Sequence, residues 1–234
     1  MTANTLTDES VSALYRAFAT DLRAAREAQR RFLADRQATM KPKLDDIEAE
    51  MTYLLLRELR PRQVVEIGTF HGWSTSWLLR ALADNGEGQL HSYDLVDNVK
   101  SNIPDDLAEK RWTFHHGDVR NELGTLPPDV DYLFIDAAHS GRFAHWYIEH
   151  LFPKVPSGTP VSVHDVFHGR RPLPFTEGAV LLRWLADKGV EYFTPAQAKA
   201  PETHRRLMEL KESLGIAERV HDTKDNPMVF FRLP

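Results

Sequence analysis

The 234-residue chain contains no cysteine, which excludes disulfides, a thiolate metal site and a cysteine nucleophile. It has no surplus of positive charge. Its 29 Lys and Arg stand against 34 Asp and Glu, a formal net charge of −5, the wrong sign for a general nucleic-acid binder, although a local basic groove stays compatible with it. No apolar run approaches the ~20 residues of a membrane helix, and the polar opening MTANTLTDES has no signal-peptide core. The expectation is a soluble cytoplasmic protein, one domain with an appendage, long enough to bury a sizeable core. Internal repeats and low-complexity tracts are missing as well. So is the GxGxxG fingerprint with which a strand–turn–helix cradles a dinucleotide pyrophosphate.

What stands in its place is VVEIGTFHGWST, Val64 to Thr75. Val64, Val65 and Ile67 form the short apolar run of a buried parallel strand. Gly68 and Gly72 allow a tight turn and close backbone approach to a ligand. Ser74 and Thr75 open an apolar helix, leaving free N–H groups toward the turn. Glu66 puts a carboxylate at that turn, where a pyrophosphate would be repelled. It suits a cationic ligand, such as the amino group and sulfonium of S-adenosylmethionine. The stretch LHSYD predicts a second strand ending in Asp94, placed to take two ribose hydroxyls. The same residues would also serve an ordinary strand–turn–helix with no ligand.

Around this motif the chain alternates strand and helix. Asp8 is the expected cap of a helix carrying Val11, Leu14, Tyr15, Phe18 and Leu22, with Arg23, Arg26, Arg30 and Arg31 on a solvated face. A second helix is expected over about 44–59, closed by Pro61. Strands are expected at about 63–67, 89–94, 111–115, 131–136 and 159–164, with a helix after each of the first four, and later helices at 177–188 and 202–214. AERVHD and MVFFRL, joined by TKDNP, suggest a closing hairpin. The expected architecture is α/β: a Rossmann-like, doubly wound, seven-stranded sheet, mostly parallel with an antiparallel C-terminal hairpin. Residues 1–60 would form a helical cap and residues 61–234 the main domain. The apolar faces of the cap helices suggest a homodimer.

The motifs together resemble class I S-adenosylmethionine-dependent methyltransferases, in the subset where a metal often assists O-methylation. The resemblance runs over about 62–234 and is carried by VVEIGTFHGWST, the Asp94 strand end, HHGDVR, DYLFIDAAHS and PVSVHDVFH. It implies a cofactor site of Glu66, Gly68, Thr69, Gly72, Ser74, Asp94 and Asp136, with Asp118 on the adenine amino group. Met40, and Lys43 beside it, would cover the methionine end.

Strands four and five deliver the chemistry. Asp136 and His139 follow the fourth, and His164, Asp165 and His168 the fifth, at the carboxyl ends where open parallel sheets bind ligands. One reading has Asp136, Asp165 and His164 bind a divalent metal, which lowers the pKa of a substrate hydroxyl while His139 takes its proton. Carboxylate with imidazole suits Mg, Mn, Fe or Zn. A second has no metal, with His139 or His168 as base and the aspartates orienting them. A third makes Asp165 a cap and His164 a satisfied core histidine. Related enzymes commonly complete the metal site with an acidic pair after strand five, where this chain has His164-Asp165. The Asp136-x-x-His139 spacing matches the subset in which that histidine is the base. The function expected is O-methylation of a hydroxylated small metabolite such as a sugar, phenol or polyketide-type scaffold. The rivals are N- or carboxyl-methylation without metal, on an amine or a peptide, and a non-catalytic cofactor-binding partner.

Overall fold

The computed structural model describes residues 6–167, 170–221 and 228–234. Three helices lead. In α1 (Asp8–Ala17) the cap is Thr7, one residue ahead of the expected Asp8: its hydroxyl accepts from Ser10 N while Ser10 Oγ accepts from Thr7 N. The helix expected to run on through Leu22 breaks at Phe18, whose ring meets the Arg57 guanidinium, and continues as α2 (Ala19–Asp35). α3 (Asp46–Leu59) starts with an Asp45–Glu48 capping box and ends at Arg60 in the left-handed region. The apolar faces of all three helices are covered within the chain: Val11, Tyr15, Leu22, Met51 and Leu54 belong to its own core. They are therefore not open to a second copy, which removes the sequence argument for a dimer. Arg26, expected in solvent, is buried.

The sheet comprises β1 (Gln63–Ile67), β2 (Gln89–Asp94), β3 (Trp112–His116), β4 (Tyr132–Ile135), β5 (Pro160–Val163) and β6 (Val229–Arg232), in the order β3-β2-β1-β4-β5-β6. All pairs are parallel except β5–β6. The order reverses between β1 and β4, the switch point at which such sheets bind ligands.

Among the described residues six strands are found, not seven. The expected hairpin partner of β6 is absent: 217–221 is not strand, and Asp222 and 223–227 lie outside the described residues. The polar segment AERVH is held instead by the leading helices, through Val220 N to Asp46 and Arg30 to the Glu218 carbonyl. β6 takes a single bridge from Phe193 on its outer side, with N–H to O distances of 2.8 and 2.9 Å. Pro195, two residues on, has no N–H to continue that ladder.

Alternate strand residues feed two cores. Val64, Leu90, Tyr132 and Phe134 pack with α3 and α4 (Trp73–Asn85) on one face. Val65, Ile67, Leu133, Ile135 and Val163 pack on the other with α5 (Gly141–Trp146), its π-helical extension Tyr147–Leu151, and α6 (Glu177–Lys188). α7 (Pro201–Ser213) lies against the leading helices. The helix expected after β3 is not formed. Two 3₁₀ turns, Val119–Asn121 and Leu123–Thr125, occupy a stretch broken by Gly124, Pro127 and Pro128.

Candidate active site

A cavity of about 550 Å³ opens at the carboxyl ends of β1, β2 and β4, within the range of small-molecule sites. Its floor is the turn after β1. Gly68 (φ 89°) lies against the backbone of Asp136: a Cβ there would fall 1.8 Å from the Asp136 carbonyl oxygen. Gly72 (φ 93°) precedes α4, which has no side-chain cap.

Asp94 lines the cavity. Its Oδ2 accepts from Thr69 N (2.7 Å), Thr69 Oγ1 (3.0 Å) and Phe70 N (2.8 Å), so one carboxylate fixes the glycine turn from the next strand. Among the described residues its Oδ1 takes only Val96 N, at 3.1 Å, leaving acceptor capacity on the cavity side. Asp118 also lines the cavity, held by Arg120 through both carboxylate oxygens, and that hydrogen bonding keeps its carboxyl below the usual range.

Glu66 does not line the cavity, contrary to expectation. Its strand position points it inward beneath α4, where it accepts from Ser74 (2.6 Å), Thr75 (2.9 Å) and Ser92 (2.6 Å). Burial pushes its pKa up to about 7 despite the three hydroxyls. It braces the turn to the helix rather than facing a ligand. Ser74 is spent on Glu66, and Thr69, Gly72 and Met40 stand behind the cavity wall rather than in it.

The chemical centre lies at the far end. Asp136, His139 and His164 bring ligand atoms within 4.8 Å of one another. Asp136 Oδ1 is 3.1 Å from His164 Nδ1 and 3.4 Å from His139 Nε2. Asp165 sits beside them, its Oδ2 3.4 Å from His139 Nε2 and its Oδ1 3.7 Å from His164 Nδ1. The expected metal set of Asp136, His164 and Asp165 is thus reordered: His139 joins the compact trio and Asp165 stands at its edge. His139 (φ 44°) and Asp165 (φ 55°) are both in the left-handed region, strain of the kind that collects at functional sites. His168 lies outside the described residues.

Two buried carboxylates that the sequence did not reveal back the imidazoles. Glu177, at the start of α6, is 3.3 Å from His139 Nδ1. Glu48, from α3, is 3.4 Å from His164 Nε2. In the sequence each has an ordinary explanation, Glu48 as the partner in a capping box and Glu177 as an acid at a helix start. Only the fold brings them to the histidines. Burial alone would lower both imidazoles. The carboxylates outweigh it, Asp136 and Glu48 raising His164 well above its ordinary value, and Glu177, Asp136 and Asp165 raising His139. Burial would raise Asp136, but His164, His139 and the nearby Lys43 hold it low. Burial pushes Glu48 up to about 8.

Comparison with known proteins agrees with the fold. Residues 65–166 match the family model described as a methyltransferase domain. Similar solved structures include the O-methyltransferase from Bacillus cereus in complex with SAH (16% identity, 97% of this chain and 100% of that one, TM-score 0.53). Cofactor-bound Rv0187 from MTB is another (17%, 98% and 99%, TM-score 0.57). A third is the O-methyltransferase TomG from Streptomyces achromogenes, involved in tomaymycin synthesis, in complex with SAM (17%, 90% and 90%, TM-score 0.50). No curated protein sequence matches the chain. Residues 65–166 thus match a methyltransferase domain, and the fold over nearly the whole chain is that of these solved methyltransferases.

Proposed function

We propose that the protein transfers the methyl group of S-adenosylmethionine to a hydroxyl of a small metabolite, with a divalent metal at Asp136, His139, His164 and Asp165 assisting deprotonation. The observation that carries this reading is the convergence of two aspartates and two imidazoles at the end of a cavity whose floor is the glycine turn. One carboxylate and two imidazoles within 4.8 Å fit a divalent ion. Such an ion, when bound, supplies Lewis acidity to the acceptor oxygen.

The chain's own residues do the rest. Asp94 Oδ1 takes the ribose hydroxyls, and Asp118 the adenine amino group. The backbone beside Gly68 lets the methionine end lie close to Asp136. Thr69, Gly72, Ser74 and Glu66 act from behind, keeping the turn in shape, and the leading helices cap the site through Glu48. His139 is the base. Its surrounding carboxylates favour the protonated ring. A cation held by Asp136 and the two imidazoles would offset those carboxylates and would lower the pKa of the acceptor hydroxyl. Alignment of donor and acceptor contributes about 7–11 kcal/mol of barrier reduction, which leaves no need for a nucleophile. Arg142 lines the same cavity and would steer an acceptor bearing a carboxylate or phosphate.

The test is methyl transfer from labelled S-adenosylmethionine to a panel of phenols, sugars and carboxylates, with metal added to chelated protein. Transfer to a hydroxyl, lost on chelation and reduced about 10²–10⁴-fold in His139→Ala, is expected. Undiminished transfer by chelated protein would instead favour His139 acting alone. Tight cofactor binding with no turnover on any acceptor would leave a non-catalytic partner.

A further inference from the structure

The two imidazoles are presented in a way that selects among metals. His139 turns Nε2 to Asp136 and Asp165 and Nδ1 to Glu177. His164 does the reverse, turning Nδ1 to Asp136 and Nε2 to Glu48. Each ring therefore has an inner nitrogen facing the common centre and an outer nitrogen facing a glutamate. Both glutamates are almost wholly buried, at 1% and 0% exposure, and come from elements far apart in sequence, α3 and α6. Each keeps its Oε1 buried with no hydrogen-bond partner among the described residues, as does His164 its Nε2, which stands 3.4 Å from the other Glu48 oxygen. A buried carboxylate without a full set of donors is costly to keep, so its place behind an imidazole calls for a purpose.

We infer that Glu48 and Glu177 are outer carboxylates that fix the tautomers of His164 and His139, so that two ring nitrogens and the Asp136 carboxylate together select a nitrogen-seeking ion of the Mn²⁺, Fe²⁺, Co²⁺ or Zn²⁺ kind over Mg²⁺. The inference rests on the metal-assisted reading above and narrows it. An outer carboxylate taking the N–H of a ligating histidine leaves the inner nitrogen's lone pair for the ion and raises its basicity. Mg²⁺ prefers oxygen ligands and retains its waters, whereas imidazole favours the later first-row ions. Neither glutamate faces the centre, so both are positioning residues rather than ligands.

The experiment uses the full chain, stripped with chelator, and needs no turnover. Mn²⁺ and Mg²⁺ are titrated calorimetrically, and the Mn²⁺ form is examined by pulsed EPR for ¹⁴N couplings. The expected result is Mn²⁺ affinity at least 100-fold above that for Mg²⁺, with couplings from two imidazoles, one of them lost in His164→Gln. Glu48→Gln and Glu177→Gln are each expected to weaken Mn²⁺ about 10- to 100-fold and to alter the coupling of their own histidine, which a merely structural role would not do. Mn²⁺ bound without nitrogen couplings, or no tighter than Mg²⁺, would overturn the inference and leave metal assistance standing. Ion binding indifferent to both glutamate substitutions would overturn the role of the outer carboxylates. No ion binding at all would overturn both the inference and the metal-assisted reading.

Discussion

At the scale of single residues, the glycine turn after β1 and the Asp136 cluster are one construction, because Gly68 lies against the backbone of Asp136. A Cβ at Gly68 would meet the Asp136 carbonyl carbon at 2.6 Å as well as its oxygen, at a φ of 89°. Gly86 has a similar φ of 75° with nothing near. Gly86→Ala therefore carries only left-handed strain, about 1–2 kcal/mol, whereas Gly68→Ala adds a backbone displacement, for a total of roughly 3–5 kcal/mol. Thermal unfolding should show a loss of about 10 °C or more for Gly68→Ala and a few degrees for Gly86→Ala, with S-adenosylhomocysteine binding lost only in the first. Equal effects would mean that the contact with Asp136 is unimportant.

Glu66 gives a second prediction at this scale. Its ordinary value of 4.5 rises to about 7 in the folded chain, so between those values the folded state holds a proton the unfolded state has released. Its contribution to stability is full below pH 4.5 and is lost as pH rises through 7, on the order of 3 kcal/mol in all. Denaturant unfolding of wild type and Glu66→Gln at pH 5 and pH 8 should show the wild type losing more on going to pH 8. Parallel profiles would place the Glu66 proton elsewhere.

At the scale of elements, the docking of α6 brings Glu177 to His139. Its first turn approaches the chain after β5 so closely that a Cβ on Gly178 would lie 1.9 Å from the Val166 carbonyl oxygen. The start of α5 is held to the same region by Gly141 N donating to Phe175 O (2.9 Å) and by a bridge between Ser140 and Thr176. Gly178→Ala should push α6 back and carry Glu177 off the imidazole. Methyl transfer is expected to fall at least tenfold while S-adenosylhomocysteine affinity, which depends on β1 and β2, stays within about twofold, with roughly 1–3 kcal/mol of stability lost. An equal fall in both would show a general disruption instead. This element also marks the limit of sequence reading. The five parallel strands and the rim residues Asp94, Asp118, Asp136 and His139 were legible because buried strands are continuous apolar runs and their carboxyl ends form a common rim. Glu48 and Glu177 were not, since contacts 116 and 38 positions apart leave no local pattern. Glu66 was misread because an acid at a strand end looks alike whether it faces a ligand or a helix.

At the scale of the whole molecule, the leading helices share one apolar core with the sheet, and a buried polar knot ties them to the far end of the chain. Glu50 of α3, fully buried, receives Lys211 Nζ of α7 at 2.9 Å and Tyr15 Oη of α1 at 2.9 Å, and pairs with Arg26 of α2. Asp46, one turn earlier, takes Val220 N and faces His221, whose ring lies against Trp73 at the start of α4. Lys211 is held down to about 7 by burial and by the Arg26 charge, so the cluster is poised around its single fully buried carboxylate. Removing that carboxylate leaves Lys211 without its acid partner and Arg26 with Asp46, at 3.5 Å, and breaking such a buried pair from one side costs about 3–5 kcal/mol. Glu50→Gln should therefore lower the unfolding midpoint by roughly 10 °C. Because the core is continuous, the melt should remain a single transition by circular dichroism and by tryptophan fluorescence, with cofactor affinity falling in step with the folded fraction rather than before it. A first transition that releases α1–α3 while the sheet stays folded would show the opposite: a cap that folds as a separate unit, and a Glu48 contact with His164 that the protein can make and break.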